Sequence, residues 1–361
     1  MRFEHESLPQ RVRFASGEAA AMLGAEVERL GAARVMVIAA PAEAELARQV
    51  TGELPVVLRW SEVAMHVPLE VAVRARAAAT GNAVDCLVSV GGGSTTGLAK
   101  AIALTSGLPI VALPTTYAGS EATNVWGLTD EARKSTGADA RVLPRAVVYD
   151  ATLTVSLPVP MSVASGLNAL AHCVDSMWGP RADPIDRALA GEGIRALAAG
   201  LPAVVADPAG LPGRELMLYG AYLSAVAFSS AGSGLHHKIC HVLGGAYDLP
   251  HAQTHAVVLP YVLAFNAPAA PEAEQRIAAA FGARSASEGL QRLRHAVDAP
   301  KALRDHGWHE TDVEGAVQAV LDVVPDSNPR PVTAGDLRRL LRAAWQGADP
   351  RATADNERSR G

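Results

Sequence analysis

The sequence predicts an α/β N-terminal domain with a mostly parallel sheet, followed by an all-α C-terminal domain. Three observations lead there. Apolar runs alternate with helical stretches as far as Leu113, the β-α-β-α order of a parallel sheet with helices on its faces. Then Ser156-Leu-Pro-Val-Pro160 breaks any regular element, and beyond it helical periods dominate. Finally, 361 residues exceed what one core usually supports. The expected domains are 1–155 and 156–361.

The elements follow in order. Arg11–Phe14, Arg34–Ala39, Pro55–Leu58, Asp85–Val90 and Pro109–Leu113 read as strands. Helical spacing covers Glu18–Leu30, Glu43–Val50, Leu69–Thr80 and Thr95–Thr105. In the second part it covers Ser162–Met177, Pro184–Leu197, Arg214–Ala227, His236–Leu243, Pro271–Phe281, Ser287–Val297 and Asp336–Trp345. The polar tail from Asp349 is expected to fray.

Hydrophobic residues make up 49% and charged residues 19%, a globular composition. Aromatics are only 4%, so Ala, Val and Leu must fill the core. The net charge is −5 with scattered basic residues, which argues against nucleic acid and anionic lipid as partners. Cys86, Cys173 and Cys240 lack ligand spacing and fit reduced thiols in a cytoplasmic protein. No apolar leader is evident, and the apolar runs look too short or too interrupted for a bilayer.

Two loops point to a nucleotide. Val90-Gly-Gly-Gly-Ser-Thr-Thr96 sits where a strand meets a helix. There Gly91, Gly92, Gly93 and Ser94 would bring backbone N–H groups and a helix N-terminus to a pyrophosphate. It is not a G-x-G-x-x-G fingerprint. The next strand end carries Thr115 and Thr116 at the sheet edge where α/β folds bind ligands.

The histidines form the second signal. His237 and His241 are four apart and share a helix face, as do Asn168 and His172. Gly244-Gly245 reads as a helix stop that lets His251 return to the same point. His236 and His255 flank this set. A divalent-metal site would call for imidazoles plus an anionic oxygen. Asn168 offers a neutral amide, so no metal is expected, and the imidazoles remain able to donate protons. Lys238, beside His237, adds a positive charge.

These segments resemble the iron-containing alcohol dehydrogenase superfamily over nearly the whole chain. The likeness runs through Gly91-Gly-Gly-Ser94, Pro114-Thr-Thr116, the histidine helices and Asn328-Pro-Arg-Pro-Val-Thr333. It implies that Asn168, His172, His237 and His251 occupy the family's metal-ligand positions. The usual Asp there is Asn168, and the usual Asp after the glycine run is Gly97. These departures, with the Gly166–His172 and Gly234–Gly245 segments, match a branch that reduces the C=C bond of maleylacetate to give 3-oxoadipate.

The resemblance implies NADH or NADPH as cofactor, with Lys134 reaching a cofactor hydroxyl. It implies a dinucleotide-binding N-terminal domain, an active site in the cleft between the two domains, a dicarboxylate substrate, a homodimer and no required metal. His172, His237, His241 and His251 are the catalytic candidates, with His241 and His172 leading as acids. Asn168 and Lys238, with Arg330 as a weaker candidate, are placed on the substrate. The residue after the second strand is Ala40, which predicts no carboxylate to repel a 2′-phosphate. Rival readings are a metal-dependent alcohol dehydrogenase and a lyase resembling dehydroquinate synthase.

Overall fold

The computed structural model describes residues 2–130 and 133–350, the first two of the latter stretch, Arg133 and Lys134, by backbone only. Two compact units emerge. One comprises Ser7–Leu157 and Ala209–Leu218, the other Met1–Glu6, Pro158–Pro208 and Tyr219–Gly361. The chain therefore crosses between units more often than the single expected cut.

Side-chain bonding accounts for both excursions. His5 Nδ1 lies 2.8 Å from Asp183 Oδ2 and 3.3 Å from Ser230 Oγ, which ties the leading segment to the helical unit. Arg214 is fully buried and donates to Tyr117 Oη at 3.1 Å and to the carbonyls of Thr154, Val155 and Leu157. A buried guanidinium needs such acceptors, and they hold 209–218 in the α/β unit.

In the α/β unit the elements are β1 (Arg11–Phe14), α1 (Ala19–Arg29), β2 (Val35–Ile38), α2 (Ala44–Val50), β3 (Val56–Trp60), α3 (Leu69–Gly81), β4 (Cys86–Gly91), α4 (Gly93–Ser106), β5 (Ile110–Pro114), β6 (Val125–Asp130), β7 (Arg133–Ala138) and β8 (Ala146–Tyr149). The sheet runs β1-β8-β5-β4-β2-β3 with every pairing parallel. Alternate side chains divide between its faces. Val35, Val37, Cys86, Val88 and Val90 join the core under α1 and α2. Met36, Ile38 and Leu87 join that under α3 and α4. The antiparallel hairpin β6–β7 and strand β8 were not expected.

The helical unit holds α5 (Val159–Ser176), α6 (Pro184–Ala206), most of α7 (Leu211–Ala231), α8 (Leu235–Tyr247), α9 (His251–Asn266), α10 (Pro271–Ala280), α11 (Ala286–Ala296), α12 (Val313–Leu321) and α13 (Ala334–Gln346). Leu235, Ile239, Val258, Val262, Val317 and Leu341 lie in one core shared by α8, α9, α12 and α13. Against expectation, Gly244-Gly245 does not end its helix. α8 continues to Tyr247 and stops at Asp248, which adopts the left-handed conformation at φ 52°. Pro250 then caps α9, which was not anticipated and starts on His251.

α6 also departs from the sequence reading. At 23 residues it is long and apolar enough to cross a membrane by length and composition. It carries Arg187, Glu192 and Arg195, and it buries Ala190, Ile194 and Leu197 in packing on α5 and α10.

Candidate active site

The glycine turn after β4 behaves as an anion cradle. Gly92 is the N-cap of α4 and offers no side-chain acceptor, so the first N–H groups of the helix stay open to a ligand. A Cβ on Gly92 would lie 2.9 Å from Thr116 Cγ2, which requires glycine there. Gly92, Gly93, Ser94, Thr95 and Thr116 line a cavity of about 290 Å³. Gly91 and Thr115 sit behind it, joined by Thr115 N–H donating to the Gly91 carbonyl at 3.2 Å. Gly97 faces Val67: a Cβ would meet Val67 Cγ2 at 2.9 Å, which leaves no room for the carboxylate the family usually carries. Lys134 belongs to β7, and its side chain lies outside the described residues.

Lys100, one turn beyond Gly97, was not singled out by the sequence. It is fully buried, and its Nζ donates to the Thr123 carbonyl (2.8 Å), Thr123 Oγ1 (3.0 Å) and the Val125 carbonyl (2.9 Å). Desolvation pulls its pKa down to about 7. Its bonds fix the segment that follows the threonine loop.

The second centre lies in the helical unit. Asn168 and His172 lie one turn apart on α5, and both are buried. His172 stacks on His237 of α8 with centroids 4.8 Å apart and 13° between ring planes. Phe228 of α7 packs on both rings, at 4.7 Å and 4.2 Å. His241 meets His237 edge-on at 6.0 Å, and His251 meets His255 at 4.3 Å. The structure thus brings His172, His237 and His241 into one cluster and links His251 to it through His255, which is 4.8 Å from His237.

The flanking histidines are integral to this cluster. His236 Nε2 lies 2.9 Å from His255 Nδ1, and both residues are fully buried. Lys238 is half-buried and about 100° around α8 from His237. Among the described residues no hydrogen bond or ion pair ties it to the imidazole face. Arg330 stacks over Phe265 at 4.3 Å, a packing role.

Asp175 was missed by the sequence. Its Oδ2 lies 2.7 Å from His237 Nδ1 and accepts from the backbone N–H groups of Gly234 (3.0 Å) and His237 (3.2 Å). Three residues after His172, it shares that residue's helix face, and this was the available signal. Glycine at 234 is required because a Cβ would lie 2.7 Å from Asp175 Oδ1. Burial pushes the Asp175 carboxyl up to about 7.

Burial sets the protonation of the cluster. Desolvation lowers His172 and His236 to about 3 and holds His237 and His255 well below the usual imidazole value. His241 and His251 are exposed. Asn168 Oδ1, His172 Nδ1 and His237 Nε2 are buried without a hydrogen-bond partner. Such atoms are costly unless a ligand meets them.

The residues at the family's metal-ligand positions supply three imidazoles and a neutral amide but no anionic oxygen. Asn168 brings no charge to offset desolvation of a cation. The nearby anion, Asp175, is committed to His237 Nδ1 and two backbone donors.

Comparison with known proteins agrees with this architecture. The family described as "Iron-containing alcohol dehydrogenase" matches residues 9–151, and "Fe-containing alcohol dehydrogenase family, C-terminal" matches 162–345. The chain is 45% identical over 351 residues to maleylacetate reductase of Burkholderia cepacia, covering 96% of this chain and 99% of that one. A solved iron-containing alcohol dehydrogenase from Corynebacterium glutamicum is 63% identical with a TM-score of 0.97, covering 98% of this chain and 99% of its own. Maleylacetate reductase from Agrobacterium tumefaciens is 39% identical with a TM-score of 0.92, covering 97% and 100%. The chain belongs to the iron-containing alcohol dehydrogenase family.

Proposed function

We propose that this chain is a maleylacetate reductase, using NADH or NADPH to reduce the C=C bond of maleylacetate to 3-oxoadipate without a metal ion. The observation that carries this reading is the neutral set Asn168, His172 and His237, whose buried polar atoms lack hydrogen-bond partners and supply no charge for a cation. The full-length likeness to maleylacetate reductases supports it.

Bound nicotinamide supplies a hydride to the alkene carbon β to the ketone. Its pyrophosphate would rest on Gly92, Gly93 and Ser94, with Thr116 beside it and Gly91 and Thr115 fixing the turn. Negative charge then gathers on the ketone oxygen as an enolate. Asn168 is suited to donate an amide N–H to it or to a substrate carboxylate, which an ionised Asp could not do.

The adjacent carbon takes a proton. Among the candidates, His241 is exposed and can be reloaded from water, whereas burial keeps His172 neutral. His241 is therefore the leading donor. His172 and His237 orient the substrate, and His251 holds a carboxylate. Lys238 contributes only long-range attraction to the dianion. A homodimer in the reducing cytoplasm completes the proposal, in keeping with three free, buried cysteines.

A second reading is a metal-dependent alcohol dehydrogenase, favoured by the name of the 63% identical relative. One experiment separates the two. NADH absorbance is followed with maleylacetate, and NAD reduction with short alcohols plus added iron or zinc. Loss of NADH absorbance on maleylacetate supports the reductase. Metal-dependent alcohol oxidation without it supports the rival.

A further inference from the structure

The helical unit holds a second cluster of ionisable side chains, which shares no residue with the imidazole cluster. His5 of the leading segment, Asp183 and Asp186 at the start of α6, and Ser230 near the end of α7 converge there. The ligand atoms of His5, Asp183 and Asp186 all lie within 4.8 Å of one another. His5 Nδ1 is 2.8 Å from Asp183 Oδ2, 3.7 Å from Asp186 Oδ1 and 3.3 Å from Ser230 Oγ.

Local structure aims the two carboxylates. Asp183 caps α6 just before Pro184, and its Oδ1 accepts from the N–H groups of Ile185 (2.7 Å) and Asp186 (2.9 Å). That leaves Oδ2 to face His5. Asp186, three residues on, falls on the same side of the first turn. It is fully buried, and neither of its oxygens has a hydrogen bond of good geometry, although the Ser230 hydroxyl faces them.

Two buried carboxylates side by side are costly without a cation. Among the described residues the one cationic group in ion-pair reach of either is His5, and only when protonated. An imidazolium there serves Asp183 at the shorter distance and offers one charge against two. A divalent ion would take Nδ1 of His5 and one oxygen from each carboxylate, and would balance both charges. One imidazole with two carboxylates suits an ion of the zinc class, whereas magnesium and calcium prefer oxygen alone.

We propose that His5, Asp183 and Asp186 form a structural site for a zinc-class divalent ion, which pins the leading segment to α6 and α7. The test strips the full-length protein with chelator and titrates it with zinc, reading affinity by calorimetry and stability by the thermal midpoint. The proteins are the wild type, His5→Gln, Asp186→Asn and, as a control at the imidazole cluster, His251→Ala. Zinc should bind the wild type and His251→Ala with micromolar or tighter affinity at one site per chain and raise the midpoint of both. His5→Gln and Asp186→Asn should each weaken that site at least about tenfold and lose the rise. Cobalt in the same site should show no thiolate charge-transfer band, which separates it from the buried group His236, Cys240 and His255. No saturable zinc binding by the wild type, binding that His5→Gln or Asp186→Asn leaves unchanged, or a cobalt–thiolate band would overturn the proposal. These readouts involve neither maleylacetate nor NADH, so they stand whatever the fate of the reductase reading.

Discussion

The Asp175 carboxylate lies 2.7 Å from His237 Nδ1, and this contact sets what the other edge of the ring can do. With Asp175 ionised, Nδ1 keeps the proton and Nε2 presents a lone pair. When the pair gains one more proton, Nε2 can donate. Burial raises Asp175 to about 7, so this exchange falls near neutral pH. Replacing Asp175 by Asn should lower kcat by about 10- to 100-fold, the range for losing an orienting partner, while cofactor Kd changes little. A kcat within twofold of wild type would remove Asp175 from the mechanism.

Asn168→Asp should change the chemistry of the cluster. A carboxylate at this corner supplies the missing charge, so divalent-ion affinity should rise by at least about tenfold. Reductase kcat should fall, because an ionised Asp cannot donate to the substrate. Zinc or iron retained after dialysis, with NADH oxidation measured in parallel, reads both effects.

The buried imidazoles predict acid lability. His172 and His236 have folded values near 3 against an ordinary 6.5. Lowered values give stability that is fully present above about 6.5 and lost as pH falls toward 3. Asp175, raised to about 7, works the other way, since its contribution is lost as pH rises through 7. Asp186 and Glu121 are raised as well and act with Asp175, so the histidine part is read as the difference in urea midpoint between wild type and a His236 variant from pH 6.5 to 4.5. Each histidine contributes a slope of up to about 1 kcal/mol per pH unit. Removing His236 should flatten the profile, and an unchanged slope would refute the assignment.

Lys100→Met should destabilise the α/β unit by about 1–3 kcal/mol, because it removes the three Nζ hydrogen bonds to Thr123 and Val125. Denaturant titration measures this directly. A variant as stable as wild type would show those acceptors to be satisfied otherwise.

Much of the fold was legible in the sequence. Buried parallel strands such as β4 and β5 are short continuous apolar runs between turn signals. α9 escaped notice because Thr254–Leu263 is buried all round and shows no amphipathic stripe. The hairpin β6–β7 escaped because β6 is only partly buried and β7 is polar. The i, i+4 pairs announced most of the imidazole cluster. Asp175 did not stand out, because a carboxylate at ordinary helical spacing looks like surface charge until its burial is seen. Gly244-Gly245 misled because tertiary packing overrode a weak local stop.

The central claim concerns the uncharged corner at Asn168. The most direct measurement is bound metal per chain by elemental analysis, together with maleylacetate-dependent NADH oxidation, before and after exhaustive chelation. Turnover that survives in protein stripped of iron and zinc is the predicted result. A stoichiometric ion whose removal abolishes turnover, and whose return restores it, would contradict the account.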